Sequence, residues 1–260
     1  MPAFDDDVWE LYGPDDGTQA HDLSGEMPER LREFQRLFLI EAVKYNVLPL
    51  DDPRVERLDP EIAGRPILIK GNRQLLFGGM GRLTENSVVN LKNKSHAVTA
   101  QVTVPEAGAE GVIIAQGGAF GGWSLYANNG RPTYCYNLLG LERTKIEGET
   151  AIPAGEHQVR MEFAYDGGGP AKGGNIALYL DGTKVAEGRV ERTQAMIFSM
   201  DETTDIGTDG GTPVSDDYGS KESAFNGDIE WVQLDLGEDA ADADHLITSE
   251  ERLRVVLATQ

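Results

Sequence analysis

Gly111–Gln116 (GVIIAQ), Gly122–Ala127 (GWSLYA), Arg131–Asn137 (RPTYCYN), His157–Tyr165 (HQVRMEFAY) and Ile176–Leu180 (IALYL) follow one another as short runs of branched and aromatic residues, parted by glycine-rich turns. Such side chains pack well on a pleated surface, so each run predicts a strand. Asp181-Gly182 tolerates positive φ at both central turn positions and joins Ile176–Leu180 to Lys184–Val190 as a tight hairpin. Short strands in succession, with turns between them, predict a β-sandwich. Modules of this kind usually bind or support something, which directs attention away from catalysis.

Outward from this region, His96–Val104 (HAVTAQVTV) alternates His96, Val98, Ala100, Val102 and Val104 on one face with Thr99, Gln101 and Thr103 on the other. Apolar pieces at Ile67–Lys70, Gln74–Phe77 and Ser87–Leu91 precede it. The sandwich is expected over residues 85–237, closing with the strand Asp228–Leu236 (DIEWVQLDL). Residues 1–84 read as a small subdomain with an extended connector, in which Pro49, Pro53, Pro60 and Pro66 block regular structure. Within it Val8–Tyr12 (VWELY) is a short strand, reversed by Gly13-Pro14-Asp15-Asp16-Gly17. Pro28–Tyr45 is a helix, with Pro28 in its first turn and Glu29 at its positive end. Leu31, Phe34, Phe38, Ala42 and Tyr45 share one face, which packs as core or meets a partner, and Asn46 and Pro49 end the helix. Residues 238–260 continue from an acidic linker, Gly237–Asp244, into a helix at Thr248–Thr259 capped by Thr248 or Ser249. Leu253, Val256 and Leu257 give that helix one apolar face; at about 12 residues it packs or frays.

A chain of 260 residues with 40% hydrophobic content forms one large or two modest globular domains. No apolar run approaches the roughly 20 residues of a membrane helix. The start, Met1-Pro2-Ala3-Phe4-Asp5-Asp6-Asp7, is acidic where an export signal is basic and then apolar, so a soluble, cytoplasmic protein is expected. A single cysteine, Cys135, excludes an internal disulfide and a Cys-x-x-Cys metal site. The formal charge is −21, and of 23 basic residues 15 are Arg and 8 are Lys. That field repels phosphate backbones and anionic membranes, so neither nucleic acid nor membrane is an expected partner. The acidity reads either as adaptation to high salt or as a well-solvated surface.

The residues carry few signs of chemistry. His21, His96, His157 and His245 are far apart and form no metal-ligand spacing. Ser124 lacks the Gly-x-Ser-x-Gly elbow, and Cys135, between Tyr134 and Tyr136, reads as a small buried hydrophobe. Gly117-Gly118, Gly121-Gly122 and Gly167-Gly168-Gly169 precede no helix, so they read as turns and not as phosphate loops. Asp201, Glu202, Asp205, Asp209, Asp216 and Asp217 in the loop Met200–Tyr218 lack the spacing of a calcium loop and read as solvated. Trp123, Tyr126, Arg131, Tyr134 and Asn137 mix aromatic and polar groups as sugar- or aryl-binding surfaces do, and are the candidate ligand-binding residues; core packing is the competing reading.

Several longer motifs carry a family resemblance. Asp5–Tyr12, Ala20–Leu23, the Pro28–Tyr45 helix and Asn46–Asp52 resemble the C-terminal subdomain of bacterial type I arylsulfatases. Gln74–Met80, Asn93–His96, Gly121–Tyr126, Phe163–Gly169 and Gly211–Val214 are similar to the sandwich that extends the long members of that family. The resemblance spans roughly residues 4–237. It implies a mainly β chain: a small α/β sulfatase C-terminal subdomain followed by an antiparallel sandwich of concanavalin or laminin-G type. In that family, catalysis uses a Cys-x-Pro/Ala-x-Arg motif whose cysteine becomes formylglycine, together with a calcium ion. Cys135 is followed by Tyr136-Asn137-Leu138-Leu139, so the motif is absent and no catalytic or metal residue carries over. Calcium and formylglycine belong to the catalytic domain that this chain lacks. The resemblance thus implies an accessory arylsulfatase portion, inactive alone, that pairs with a catalytic domain or chain, or with itself, through residues 1–84. The alternative is an independent sandwich that binds carbohydrate or sulfated aryl ligands.

Overall fold

Branched residues spaced two apart fix which side of each strand is buried. The computed structural model describes residues 6–48, 50, 69, 71–237, 244–248 and 250–251. The described strands are β1 (Arg73–Phe77), β2 (His96–Val104), β3 (Gly111–Gly118), β4 (Gly121–Asn128), β5 (Arg131–Leu138), β6 (Glu142–Glu147), β7 (Gly155–Tyr165), β8 (Gly174–Leu180), β9 (Thr183–Val190), β10 (Thr204–Ile206) and β11 (Asp228–Leu236). They form a six-stranded sheet in the order β1-β11-β2-β7-β8-β9 and a five-stranded sheet in the order β10-β3-β4-β5-β6. Every pair is antiparallel. The protein is mainly β, with two antiparallel sheets.

Val98, Ala100 and Val102 of β2, Val159, Met161 and Phe163 of β7, Ile176, Leu178 and Leu180 of β8, and Val232, Leu234 and Leu236 of β11 lie in one buried cluster. Ile114 of β3, Trp123 and Leu125 of β4, and Tyr134 and Tyr136 of β5 from the other sheet join it. Each Val, Leu, Ile, Phe or Met side chain among them contributes about 1.5–3 kcal/mol by leaving water. The strands in the sheet centres are the apolar ones; β6 (ERTKIE) and β9 (TKVAEGRV) lie at edges, where charged residues discourage pairing with another chain.

The sheet extends beyond the 85–237 span expected from the sequence. β1 pairs in register with β11, from Arg73 opposite Asp235 to Phe77 opposite Trp231, so residues upstream of 85 supply an edge strand. The chain divides into two units between Arg54 and Val55.

In the first unit the strand expected at Val8–Tyr12 does not form: the chain there is irregular, tied by Leu11 N–H to Asp22 Oδ1 (2.9 Å) and Leu23 N–H to Leu11 O (2.7 Å). With no neighbouring strand to pair with among the described residues, an isolated extended segment gains nothing from β geometry. The helix α1 (Pro28–Lys44) forms as expected and ends at Asn46, which takes φ +55° while Val47 N–H returns to Ala42 O. Its apolar stripe is only partly covered: Ala42 is buried, Leu31 and Phe38 are half-buried with Phe38 edge-on to Trp9 at 5.6 Å, while Phe34 is 41% and Tyr45 65% exposed. Pro49 and most of the expected connector lie outside the described residues.

At the C-terminal end Thr248 is the cap: Glu251 N–H bonds Thr248 Oγ1 (3.3 Å) and Thr248 N–H bonds Glu251 Oε2 (2.8 Å), a reciprocal capping box. Residues 252–260, and with them most of the expected helix, lie outside the described residues. Among the described residues no helix is long and apolar enough to cross a membrane.

Candidate functional site

The five candidate residues do not converge. Strand alternation sends Trp123 and Tyr134 into the core, where their rings stack at 6.3 Å and Trp123 Nε1–H donates to Gln116 Oε1 (2.9 Å). Tyr126 points from the opposite face of the same sheet, its hydroxyl 3.1 Å from Ser215 Oγ and bonded to Asp217. Asn137 is buried, donating to Gly118 O (2.8 Å) and Ala119 O (3.1 Å) and accepting from Gly140 N–H (2.9 Å), as a turn-builder does. Arg131 alone is exposed, paired with Glu147 at 3.0 Å. Four of the five are therefore buried, and Trp123, Tyr126 and Asn137 find hydrogen-bond partners inside the protein.

The loop that reads as solvated also departs from expectation. Residues 207–224 fold over the second face of the five-stranded sheet, where Val112, Ala115, Tyr126, Cys135 and Val214 form a second small core. Asp209 is 1% exposed and accepts from Val214 N–H and Tyr218 O–H, both at 2.8 Å. Asp205 is buried too, accepting from Arg82 N–H (2.7 Å) and Thr203 Oγ1–H (2.9 Å). Backbone donors exposed by a tight loop need acceptors, and short carboxylates supply them. Among the described residues no group of three or more His, Cys, Asp or Glu is placed to hold a metal. Formylglycine does not fit Cys135, which is fully buried beneath this loop, its thiol pushed up to about 11 by burial.

On the outer face of the six-stranded sheet the exposed part is the β8–β9 end, where Asn175, Glu187 and Arg189 reach solvent, whereas Ala97, Thr99, Arg160, Gln233 and Asp235 on the same face are buried. Register there aligns whole rows of side chains. One row runs Arg73, Asp235, Ala97, Glu162, Ala177, Glu187, and the next runs Gln233, Thr99, Arg160, Tyr179, Lys184. A third joins Ala164, Asn175 and Arg189. Over β7, β8 and β9 these rows line an open groove of about 710 Å³, floored by Ala164 and Ala177 and walled by Glu162, Asn175, Tyr179, Glu187 and Arg189. Small residues make the depression, and long polar ones make its rim. A second hollow of about 470 Å³, near Gly78–Gly81 and Gly207, is mostly backbone and offers fewer side-chain groups.

The rim is held in place before any ligand arrives. Arg189 grips Asp166 through Nη2 (2.7 Å) and Nη1 (3.2 Å), reaches Asn175 Oδ1 (3.3 Å), and donates through Nε to Glu191 (3.1 Å). These bonds raise the guanidinium further above its ordinary range, and Arg189 holds the Asp166 carboxyl below its own. Lys184 pairs with Glu187 at 2.6 Å and lowers its carboxyl. Glu162 accepts from the buried Arg160 Nε–H at 2.7 Å. Each cation on the rim is thus matched by carboxylates, and Arg189 by two.

Next to the groove, the segment 244–248 lies against the same sheet. The His245 ring stacks on Tyr179 at 4.0 Å and 13°, and its Nδ1–H donates to Glu162 Oε1 at 2.8 Å, the carboxylate being acceptor only. Ile247 is buried and exchanges two bonds with the Gln158 side chain, N–H to Oε1 (2.9 Å) and Nε2–H to O (2.6 Å). Burial, then Glu162, pushes the Tyr179 phenol upward. Sequence reading missed this site because its residues come from three strands and a distant tail; the nearest signal was Tyr179 and Ala177 alternating with core residues in Ile176–Leu180.

The sequence matches no family model and no curated protein. Among solved structures, the chain is similar to the CBM40 domain of the Ruminococcus gnavus IT-sialidase bound to alpha2,6 sialyllactose, at 15% identity and TM-score 0.45, covering 70% of this chain and 97% of that one. It is also similar to the mouse laminin alpha1 domains LG4-5, at 17% identity and TM-score 0.39, covering 66% and 41%. A third similarity is to the heptameric SAP-like pentraxin of Limulus polyphemus, at 14% identity and TM-score 0.38, covering 67% and 79%.

Proposed function

We propose that the chain is a binding module that holds a neutral carbohydrate on the outer face of its larger sheet. The observation that carries this reading is the groove itself: an alanine-floored hollow of about 710 Å³ rimmed by Glu162, Asn175, Glu187 and Arg189. Carboxylates and an amide already fixed by their own partners offer spare lone pairs and N–H groups to hydroxyls without losing much side-chain freedom on binding. Rigid strands carry every one of these groups.

Charge selects among the ligands considered. Arg189 is opposed by Asp166 and Glu191, Lys184 by Glu187 and Arg160 by Glu162, so each of these cations is already paired, and the chain carries −21. Sulfated ligands therefore meet repulsion, and uncharged hydroxyl-rich chains do not. Titration calorimetry with neutral xylo-, manno- and malto-hexaoses tests this. Binding to at least one is expected, weakened about tenfold or more by Asn175→Ala or Glu187→Ala, since losing a bidentate hydroxyl contact costs about 1.5 kcal/mol or more. Preference for sulfated sugars, or indifference to both substitutions, would sink the reading.

A second role is favoured by the first unit, where α1 leaves Leu37 50%, Ile40 63% and Val43 67% exposed. An apolar helix face of this kind suits attachment to a partner. Together with the arylsulfatase resemblance, it supports an accessory module carried beside a sulfate-ester hydrolase domain. Light scattering of the chain mixed with an arylsulfatase catalytic domain tests the association. No hydrolysis of an aryl sulfate is expected from the chain alone, and turnover would overturn this role.

A further inference from the structure

His245 makes the two contacts that a sugar ring would make in this groove. Its ring lies flat on Tyr179 at 4.0 Å, and it donates to Glu162 Oε1 at 2.8 Å. A pyranose likewise offers an apolar C–H face to an aromatic ring and a hydroxyl donor to a carboxylate. Tyr179 and Glu162 both line the groove, so the hollow and the stacked histidine share two walls. We propose that segment 244–248 is a displaceable strap that caps a second subsite, built by Tyr179 and Glu162, and that a neutral sugar chain competes with His245 for it. The proposal rests on the carbohydrate-binding reading and adds regulation to that site.

Three features make the displacement local. His245 takes φ +52°, a left-handed conformation that strains a residue with a Cβ and relaxes on release. Its side chain is already 33% exposed, so one edge of the ring meets solvent before it leaves. The strap's firmest hold lies two residues on, at Ile247 and Gln158, which can persist while the imidazole swings away. Glu162 stays aimed afterwards, because Arg160 Nε–H still donates to it at 2.7 Å. What the ligand would find is a formed subsite with the lid lifted.

The test compares the full chain with His245→Ala, and with a chain ending at residue 243, against neutral xylo-, manno- and malto-hexaoses by calorimetry. A ligand that must wait for a minor open state binds more weakly by the fraction open, so a strap open in roughly one chain in five predicts about fivefold tighter binding once His245 is gone. Tyr179→Ala in the His245→Ala background is expected to remove that gain. Thermal melts show whether the shortened chain folds, and His245→Ala, which keeps Ile247 in place, decides the matter if it does not. Unchanged or weaker binding by His245→Ala, with Asn175→Ala still damaging, overturns the strap and leaves the groove standing. Failure of every form to bind any of the three sugars overturns both.

Discussion

Asp209 and His96 are buried ionisable residues whose titrations oppose each other. Burial pushes the Asp209 carboxyl up to about 6, with Asp205 and Glu202 adding repulsion, while the unfolded chain titrates near 3.8. The folded state then holds the proton more tightly, so Asp209 favours folding below about 4 and loses that effect as pH rises through about 6. His96 is pushed down to about 4 by burial, from 6.5, with Nδ1 3.0 Å from Lys94 O and Nε2 buried without a partner. Its folded form rejects the proton, so stability falls as pH drops from about 6.5 toward about 4. Each effect is worth about 3 kcal/mol over its window, and in the shared window they largely cancel. Urea unfolding between pH 4 and 7 checks this: relative to the natural chain, Asp209→Asn should lose stability on acidification and His96→Phe should gain it. Parallel pH profiles for all three proteins would remove the argument.

At the scale of elements, the hairpin β8–β9 shows how a turn fixes both a sheet edge and the strap. Asp181 at φ +50° and Gly182 at φ +78° make the tight turn that Asp-Gly announces in the sequence. A Cβ on Gly182 would sit 2.8 Å from Asp244 O, so the strap passes directly over the turn. Gly182→Ala is expected to cost about 1–2 kcal/mol from the left-handed φ alone, read as a lower urea midpoint, and to speed amide exchange at Ile247. Other elements leave less trace in the chain. β6 buries only Ile146 of its six residues, and β10 is three residues inside an acidic stretch. A strand whose outward face is charged or whose length is a single turn carries no alternation to read, so its existence depends on the neighbour it pairs with. Asp205 and Asp209 are hidden for the same reason: Asp205 on β10 is covered from the Gly81–Arg82 turn, and Asp209 lies on the sheet face beneath its loop, contacts made across the chain.

Across the whole molecule, 44 acidic residues face 23 basic ones. Self-repulsion of this size opposes compaction and is screened over about 10 Å at 0.1 M salt. The melting temperature should therefore rise between 0.02 and roughly 0.5 M sodium chloride, as followed by calorimetry, and a flat response would show the charges to be too dispersed to matter. The division between Arg54 and Val55 sets Trp9 in one unit and Trp123 and Trp231 in the other. Trp9→Phe leaves fluorescence reporting on the sandwich alone, and its unfolding curve should match that of circular dichroism at strand wavelengths while helix signal is lost separately.

Composition and periodicity by themselves determined that this protein is mainly β, where its long central strands run, where α1 begins and ends, and that a single cysteine excludes an internal disulfide. Those properties are local: alternation, turn residues and caps act over a few positions. Tertiary structure decided that Trp123, Tyr126, Tyr134 and Asn137 are buried, that the Arg73–Phe77 strand belongs to the sheet, and that Glu162, Asn175, Tyr179, Glu187 and Arg189 share one groove with His245 beside it. Strand order and register bring those residues together, and both are set by which sheets bury which faces, a property of the assembled core that no single segment contains.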